Sequence, residues 1–323
     1  MKILILDSKT INQLINVEEL VNFMKKIFKL HAQGLSIIPQ RLTVSIDGNW
    51  WGLMYGYLKN LNVCVKIVNV YPENRVRNLP STQALTLLFK NVDGSLLAIM
   101  NGTVLTGWRT AIVSAISVEI VEGCTDELSI IGTGTQAHYH LEVFTRLFKI
   151  SKIYVTSRTR ENAEKFVKKC LDKGIDAYVV DLDTCLNRGK TILALTTSKV
   201  PVIHGRKVRE GVHIISIGAH ELNAREVDDD VFLKVRKVLV DYREGALRET
   251  GDLVQPLSKG LIKYEDILEL SEVLLKNLKV RESDDEVTLY KSVGFALEDL
   301  AISQYLYSKV ISFKELNVNY VEL

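Results

Sequence analysis

No uninterrupted apolar run in this 323-residue sequence reaches the ~18 residues that a membrane-spanning helix needs. The amino terminus, MKILILDSKT, turns polar after a short apolar stretch and lacks the longer core and small-residue cleavage site of a secretory signal. A cytoplasmic protein without membrane association is expected. Cysteine is sparse: Cys64, Cys124, Cys170 and Cys185 lie far apart with no C-x-x-C pair, so neither a zinc ribbon nor a redox dithiol is written here. Net charge is also nearly absent, with 41 basic against 39 acidic residues, interleaved, for a formal +2. That leaves no field to draw a nucleic acid, and any anion recognition must be local. His138 and His140 stand two apart on an expected helix and point to different faces, unlike the four-residue spacing of a zinc pair, so no metal site is expected. Repeats, low-complexity tracts and obvious linkers are missing.

What is present is the 47% apolar, 25% charged mixture of a globular chain, long enough for two domains. Val17 to about Gln33 carries apolar residues at helical spacing and stops at Gly34. β-rich stretches follow at Arg41–Ile46, Trp50–Leu58, Val63–Tyr71, Gln83–Phe89 and Leu96–Met100, with Asp93-Gly94 as a hairpin signal. A helix is expected over Thr106–Val121. Strands then alternate with helices, at Leu128–Ile131, Lys152–Ser157, Asp176–Val180, Thr191–Leu195, His213–Ile217 and Lys237–Asp241, which implies a parallel sheet covered on both faces. The tail from Val287 to Val310 reads as helical.

Within this α/β pattern, Gly132-Thr133-Gly134-Thr135-Gln136-Ala137 follows a buried strand and opens a helix. Gly132 permits the tight turn, Gly134 lets backbone amides approach a pyrophosphate, and Ala137 allows close helix packing. The expectation is a doubly wound, Rossmann-type dinucleotide-binding domain. After the second strand, where an NAD site usually has an acidic residue, the sequence reads Ser157-Arg158-Thr159-Arg160. Hydroxyls and guanidiniums suit a 2′-phosphate, so NAD(P) is expected with NADP(H) favoured over NAD(H), and Arg160 is the weaker candidate of the two arginines.

Three cations in the first third are out of place. Lys66 interrupts an apolar strand and needs an anion, because an unpaired buried ammonium is costly. Arg109 falls in the first turn of the expected helix, where the macrodipole disfavours it unless both face one bound anion, such as a substrate carboxylate. Arg41, opening a strand after Pro39, completes the set.

Taken in order, these segments resemble the ornithine cyclodeaminase and mu-crystallin family. The resemblance runs nearly end to end and rests on Arg41, Lys66-Ile-Val-Asn-Val-Tyr-Pro72, Leu79-Pro-Ser-Thr-Gln-Ala84, Leu97-Ala-Ile-Met-Asn-Gly102 and Leu105-Thr-Gly-Trp-Arg-Thr-Ala111. It continues through the glycine turn, Arg225-Glu-Val-Asp228, Gly251-Asp-Leu253, Thr288-Leu-Tyr-Lys-Ser-Val-Gly294 and Glu298-Asp-Leu300. The resemblance implies a homodimer. Residues 1–120 with 287–323 would form an α+β substrate-binding and dimerisation domain, and 121–286 the Rossmann NAD(P)-binding domain. It also implies that Arg41, Lys66 and Arg109 hold a substrate carboxylate with Ser81 nearby. Asp228 is then the catalytic acid/base, with Lys66 beside the reacting groups, while Thr197, Ser198, Ile217, Gly218 and Ala219 line the nicotinamide. Asp228 by itself reads only as part of an acidic helix start.

One departure bears on the substrate. Family cyclodeaminases carry Glu-Leu-Met-Pro in the second strand, the Glu receiving the distal amino group of ornithine, whereas this chain has Gly52-Leu53-Met54-Tyr55. The expected activity is therefore hydride transfer at the α-carbon of a small amino or imino acid, as in ketimine reductases or alanine dehydrogenases. Ornithine cyclodeamination and a mu-crystallin-type NADPH-dependent small-ligand binding protein are the alternatives.

Overall fold

The computed structural model describes residues 2–77, 79–312 and 318–322. Two compact units divide the chain: one runs to Thr110 and resumes at Phe295, and the other is Ala111–Gly294.

The first unit begins with β1 (Lys2–Leu6), α1 (Ser8–Leu14) and α2 (Val17–Ala32). The side chain of Asn16 accepts from Glu19 N at the start of α2, whose face of Leu20, Val21, Met24, Ile27 and Phe28 is buried. The short β2 (Ser36–Ile37) and then β3 (Leu42–Ile46), β4 (Asn49–Leu58), β5 (Val63–Val70), β6 (Thr82–Phe89) and β7 (Leu96–Asn101) build most of a sheet ordered β16-β1-β7-β6-β5-β4-β2, with β3 also on β4. Gly94 closes the β6–β7 hairpin at φ +72. Side chains alternate between faces along each strand. Met54, Lys66, Thr86 and Met100 are direct cross-strand partners in one row, and Leu53, Ile67 and Leu85 form the next.

After β7 comes α3 (Gly102–Val121), a single 20-residue helix. It is long and apolar enough to cross a bilayer, although polar residues interrupt every apolar run along it; its residues are mostly buried in the fold, as in a core helix. Asn101 Oδ1 accepts from Val104 N at 3.1 Å and so sets the helix start four residues earlier than the expected Thr106. Arg109 therefore stands in the helix interior, and the dipole argument made for it does not hold.

The second unit continues with β8 (Glu127–Ile131), α4 (Thr135–Leu147), β9 (Lys152–Thr156), α5 (Arg160–Asp172), β10 (Asp176–Val179) and α6 (Leu182–Arg188). It goes on through β11 (Thr191–Ala194), β12 (His213–Ser216), β13 (Val235–Val240), α7 (Arg243–Glu249), α8 (Gly251–Ser258), β14 (Ile267–Glu269), α9 (Leu270–Lys276) and β15 (Val287–Lys291). All the pairs are parallel, in the order β10-β9-β8-β11-β12-β15-β13-β14. The order reverses at β8 and β11, and in such sheets ligands bind at the carboxyl ends of the strands at this switch point. The buried stripe of Ala137, Leu141, Phe144 and Phe148 seats α4.

The chain returns to the first unit with α10 (Ala296–Ser312) and the edge strand β16 (Asn319–Glu322). The expectation of a helix from Val287 is corrected: Val287–Lys291 is a fully buried strand between β12 and β13, and α10 begins only at Ala296. The unit boundaries accordingly lie ten residues before position 120 and eight beyond position 286. The change of sequence pattern marks the end of α3, whereas the contacts divide within it.

Candidate active site

In the first unit, α10 packs on β4 and β5 and brings two acidic residues of its first turn over the Lys66 row. Lys66 Nζ lies 3.0 Å from Asp299 Oδ1, and Arg109 Nε donates to the same oxygen at 3.1 Å. Arg109 also pairs with Glu298. Both carboxylates are fully buried, and Lys66 and Arg109 are 1% and 6% exposed. The anion that Lys66 requires is thus supplied within the protein, by Asp299. Burial pulls the Lys66 ammonium down to about 8, against the pull of Asp299, with Arg109 and then Arg41 adding repulsion. Arg41 is therefore part of the same field. Ser81 directly precedes β6, whose Thr82 pairs with Val70, four positions along β5 from Lys66.

In this cluster Asp299 Oδ2 and Thr86 Oγ1 are buried without a hydrogen-bond partner among the described residues. Such groups are costly unless water or a ligand meets them. Lys66 and Arg109 face the two carboxylates Asp299 and Glu298, with Arg41 adding positive potential at Lys66.

In the second unit, Gly132 sits at φ +95, and a Cβ there would lie 2.6 Å from the carbonyl oxygen of Leu195. Glycine is required for the turn and for its approach to the end of β11. A Cβ at Gly134 would meet no atom within 4 Å, and as the N-cap of α4 this residue leaves the N–H groups of Thr135 and Gln136 without a side-chain cap, while Ala137 N donates to Gly134 O at 3.1 Å. An open approach to uncapped amides fits a pyrophosphate. Thr133 Oγ1 reaches Ser157 Oγ at 3.3 Å, joining the turn to the end of β9. Arg158 and Thr159 are exposed, and Arg158 has no ion-pair partner among the described residues, whereas Arg160 is paired with Glu164 on its own helix.

The loops after β11 and β12 carry Thr197 and Ser198, and Ile217, Gly218 and Ala219. Both are tied to one carboxylate. Glu226 Oε1 accepts from Thr196 N at 2.9 Å, and Oε2 accepts from Gly218 N at 2.6 Å and from Ser216 Oγ at 2.9 Å. Beneath it, Asp252 Oδ2 pairs with Lys291 Nζ at 3.0 Å, and Asp252 Oδ1 accepts from Glu226 N at 2.8 Å. Glu226, Asp252 and Lys291 are completely buried. Burial pushes the Glu226 carboxyl up, with Lys291 opposing.

Asp228 follows this network. Its side chain caps a short 3₁₀ turn, Asp229–Leu233, with Oδ1 accepting from Val231 N at 3.2 Å and Gly205 N at 3.0 Å. Oδ2 lies 3.1 Å from His204 Nδ1. Sequence pattern does not point to Glu298 and Asp299 as partners of the cations, nor to the Glu226–Asp252–Lys291 network, nor to His204. Lys291 carries a signal like that of Lys66, a lysine within or at the end of an apolar strand, but its segment reads as helix in the sequence. Among the described residues no cluster of metal-ligating side chains is present.

The chain belongs to the ornithine cyclodeaminase/mu-crystallin family, whose model matches residues 1–314. It is 32% identical to an alanine dehydrogenase of Archaeoglobus fulgidus over 97% of this chain and 96% of that one. It is 36% identical to the ketimine reductase mu-crystallin of Mus musculus over 77% and 76%. Among solved structures, Thermococcus litoralis Δ1-pyrroline-2-carboxylate reductase, in complex with NADH and L-proline, superimposes with a TM-score of 0.93 at 30% identity, covering 99% and 100% of the two chains. An archaeal alanine dehydrogenase dimer with bound NAD gives 0.92 at 30% identity over the full length of both.

Proposed function

We propose that this chain is an NAD(P)-dependent oxidoreductase acting at the α-carbon of a small amino or imino acid, with reduction of a cyclic ketimine ranked ahead of alanine dehydrogenation. The observation that carries the reading is the buried Lys66–Asp299–Arg109 cluster, which sets two cations side by side with the buried Thr86 hydroxyl as a further donor. Lys66 and Arg109, with Arg41, hold the substrate carboxylate and so fix the α-carbon; Ser81 adds a hydroxyl at this end. The turn Gly132–Ala137 takes the cofactor pyrophosphate, and Thr197, Ser198, Ile217, Gly218 and Ala219 take the nicotinamide. When bound, the nicotinamide supplies or accepts the hydride. Asp228 moves the accompanying proton at the substrate nitrogen or at a water.

Ornithine is the disfavoured substrate. Gly52 offers no carboxylate, and the indole of Trp50 lies against it where a Cβ would stand, so a side chain there would have to displace that ring. The test is an assay of purified protein with NADPH and NADH against pyrroline-2-carboxylate, pyruvate plus ammonium, and ornithine. Turnover of ornithine alone, giving proline and ammonia, would sink the reading. NADP(H) is the proposed preferred cofactor, since exposed Arg158, without an ion-pair partner among the described residues, suits a 2′-phosphate. Arg158→Ala should weaken NADPH binding far more than NADH binding; an equal loss for both contradicts this. A homodimer is proposed as well, built on the apolar face that the first sheet exposes at Leu42, Val44, Ile46, Ile67 and Leu85.

A further inference from the structure

We propose that His204 is the proton relay serving Asp228, connecting its carboxylate to solvent; the inference rests on the reading of Asp228 as the acid/base. The geometry assigns different tasks to the two carboxylate oxygens. Oδ1 is occupied by the backbone N–H groups of Gly205 and Val231, which fix the group in place. Oδ2 is left to exchange protons, and the partner 3.1 Å away is the Nδ1 atom of His204. The Asp228 side chain is 23% exposed and that of His204 39%, so the imidazole is the more open member of the pair. It is also an acid and a base on opposite edges of one ring.

The backbone holds this dyad in register. Asp228 N donates to Ile203 O at 3.0 Å, and Ile203 bridges to Val227. Gly205 packs against the backbone of Asp230 with no space for a Cβ, so the His204–Gly205 step is held against the 3₁₀ turn. The neighbouring charges are engaged elsewhere: Arg206 with Asp230 at 2.9 Å, and Asp229 with Arg225 and Lys259. Among the described residues His204 is the one ionisable side chain bonded to Asp228.

In the reductive direction the hydride carries two electrons to the imine carbon, and the imine nitrogen takes a proton from Asp228 Oδ2. The carboxylate so formed takes the Nδ1 proton of an imidazolium that water has protonated at Nε2. One solvent proton is thus consumed per turnover, and the ring regains its starting tautomer by exchange with water. The oxidative direction runs the same path backwards.

The test compares full-length His204→Asn and Asp228→Asn with the parent protein, using NADPH or NADH and whichever substrate turns over. Asparagine keeps an N–H for Oδ2 but cannot carry a proton. His204→Asn should lower kcat about tenfold, at the low end of what a positioned proton-transfer group contributes, leave cofactor affinity unchanged, and become faster as imidazole buffer is added at constant pH. A parental kcat, or a lowered kcat that imidazole does not restore, overturns the relay. If Asp228→Asn is inactive in that case, the relay alone has failed. If Asp228→Asn turns over normally, the acid/base reading fails and the relay with it.

Discussion

At the scale of single residues, Lys66 shows how a buried charge is made usable. Its ammonium, pulled by burial to about 8, keeps its proton at neutral pH largely because Asp299 lies against it. An unfolded lysine titrates near 10.5. The folded chain therefore binds fewer protons between about 8 and 10.5, so the cost of holding this cation is present below about 8 and is relieved as pH rises through that window. Carboxylate binding should follow the opposite trend, with substrate KM rising as pH passes about 8. Lys66→Met should raise KM by roughly ten- to hundredfold, the scale of one charge-assisted hydrogen bond, and remove that dependence while sparing cofactor affinity. Steady-state kinetics across pH 6.5 to about 9.5 decide it; an unaltered profile in the variant contradicts the role. Lys66 was legible because a lysine in an apolar strand must find an anion. Asp299 was not, since it lies 233 residues away and its own surroundings read as a helix start.

At the scale of elements, the glycine turn and α4 were readable from local chemistry alone, because the strand, the turn and the buried stripe are contiguous. Phe144 is completely buried in that stripe and stacks edge-on against Phe148 at 5.5 Å between ring centroids. Phe144→Ala should cost about 3–5 kcal/mol, measured as a lower urea midpoint; a loss under about 1 kcal/mol would mean that α4 is not anchored there. Two elements escape the sequence pattern for identifiable reasons. The start of α3 hides behind Asn101, which ends a strand and caps a helix at once. β15 is five residues long and enters the sheet between β12 and β13 out of chain order, and a short apolar run does not reveal its period.

At the scale of the whole molecule, Glu122 links stability to pH. Burial raises its carboxyl to about 7, although Arg281, at 3.4 Å, and Thr191 hold it down. The folded state thus binds the proton more tightly than the unfolded chain. The contribution of this proton to stability is fully present below about 4.5 and is lost as pH rises through about 7. Glu122→Gln should flatten the melting temperature between pH 5 and about 7.5; the same slope in both proteins would exclude Glu122 as its source. For the proposed dimer, Val44→Asp should give a monomer by light scattering, because a carboxylate on a dry interface is unpaired. A dimer that survives the change places the interface elsewhere.

The sequence by itself determined what is local or periodic: the dinucleotide turn, the alternation that builds the parallel sheet, and the misfit of lysine and arginine among apolar residues. Only the tertiary structure decided how charges far apart in the chain are paired. It placed Asp299 between Lys66 and Arg109, and Glu226 between the loops that follow β11 and β12. The reason is physical: backbone patterns repeat over a few residues, whereas a buried charge is balanced by whatever the fold sets within about 3 Å of it.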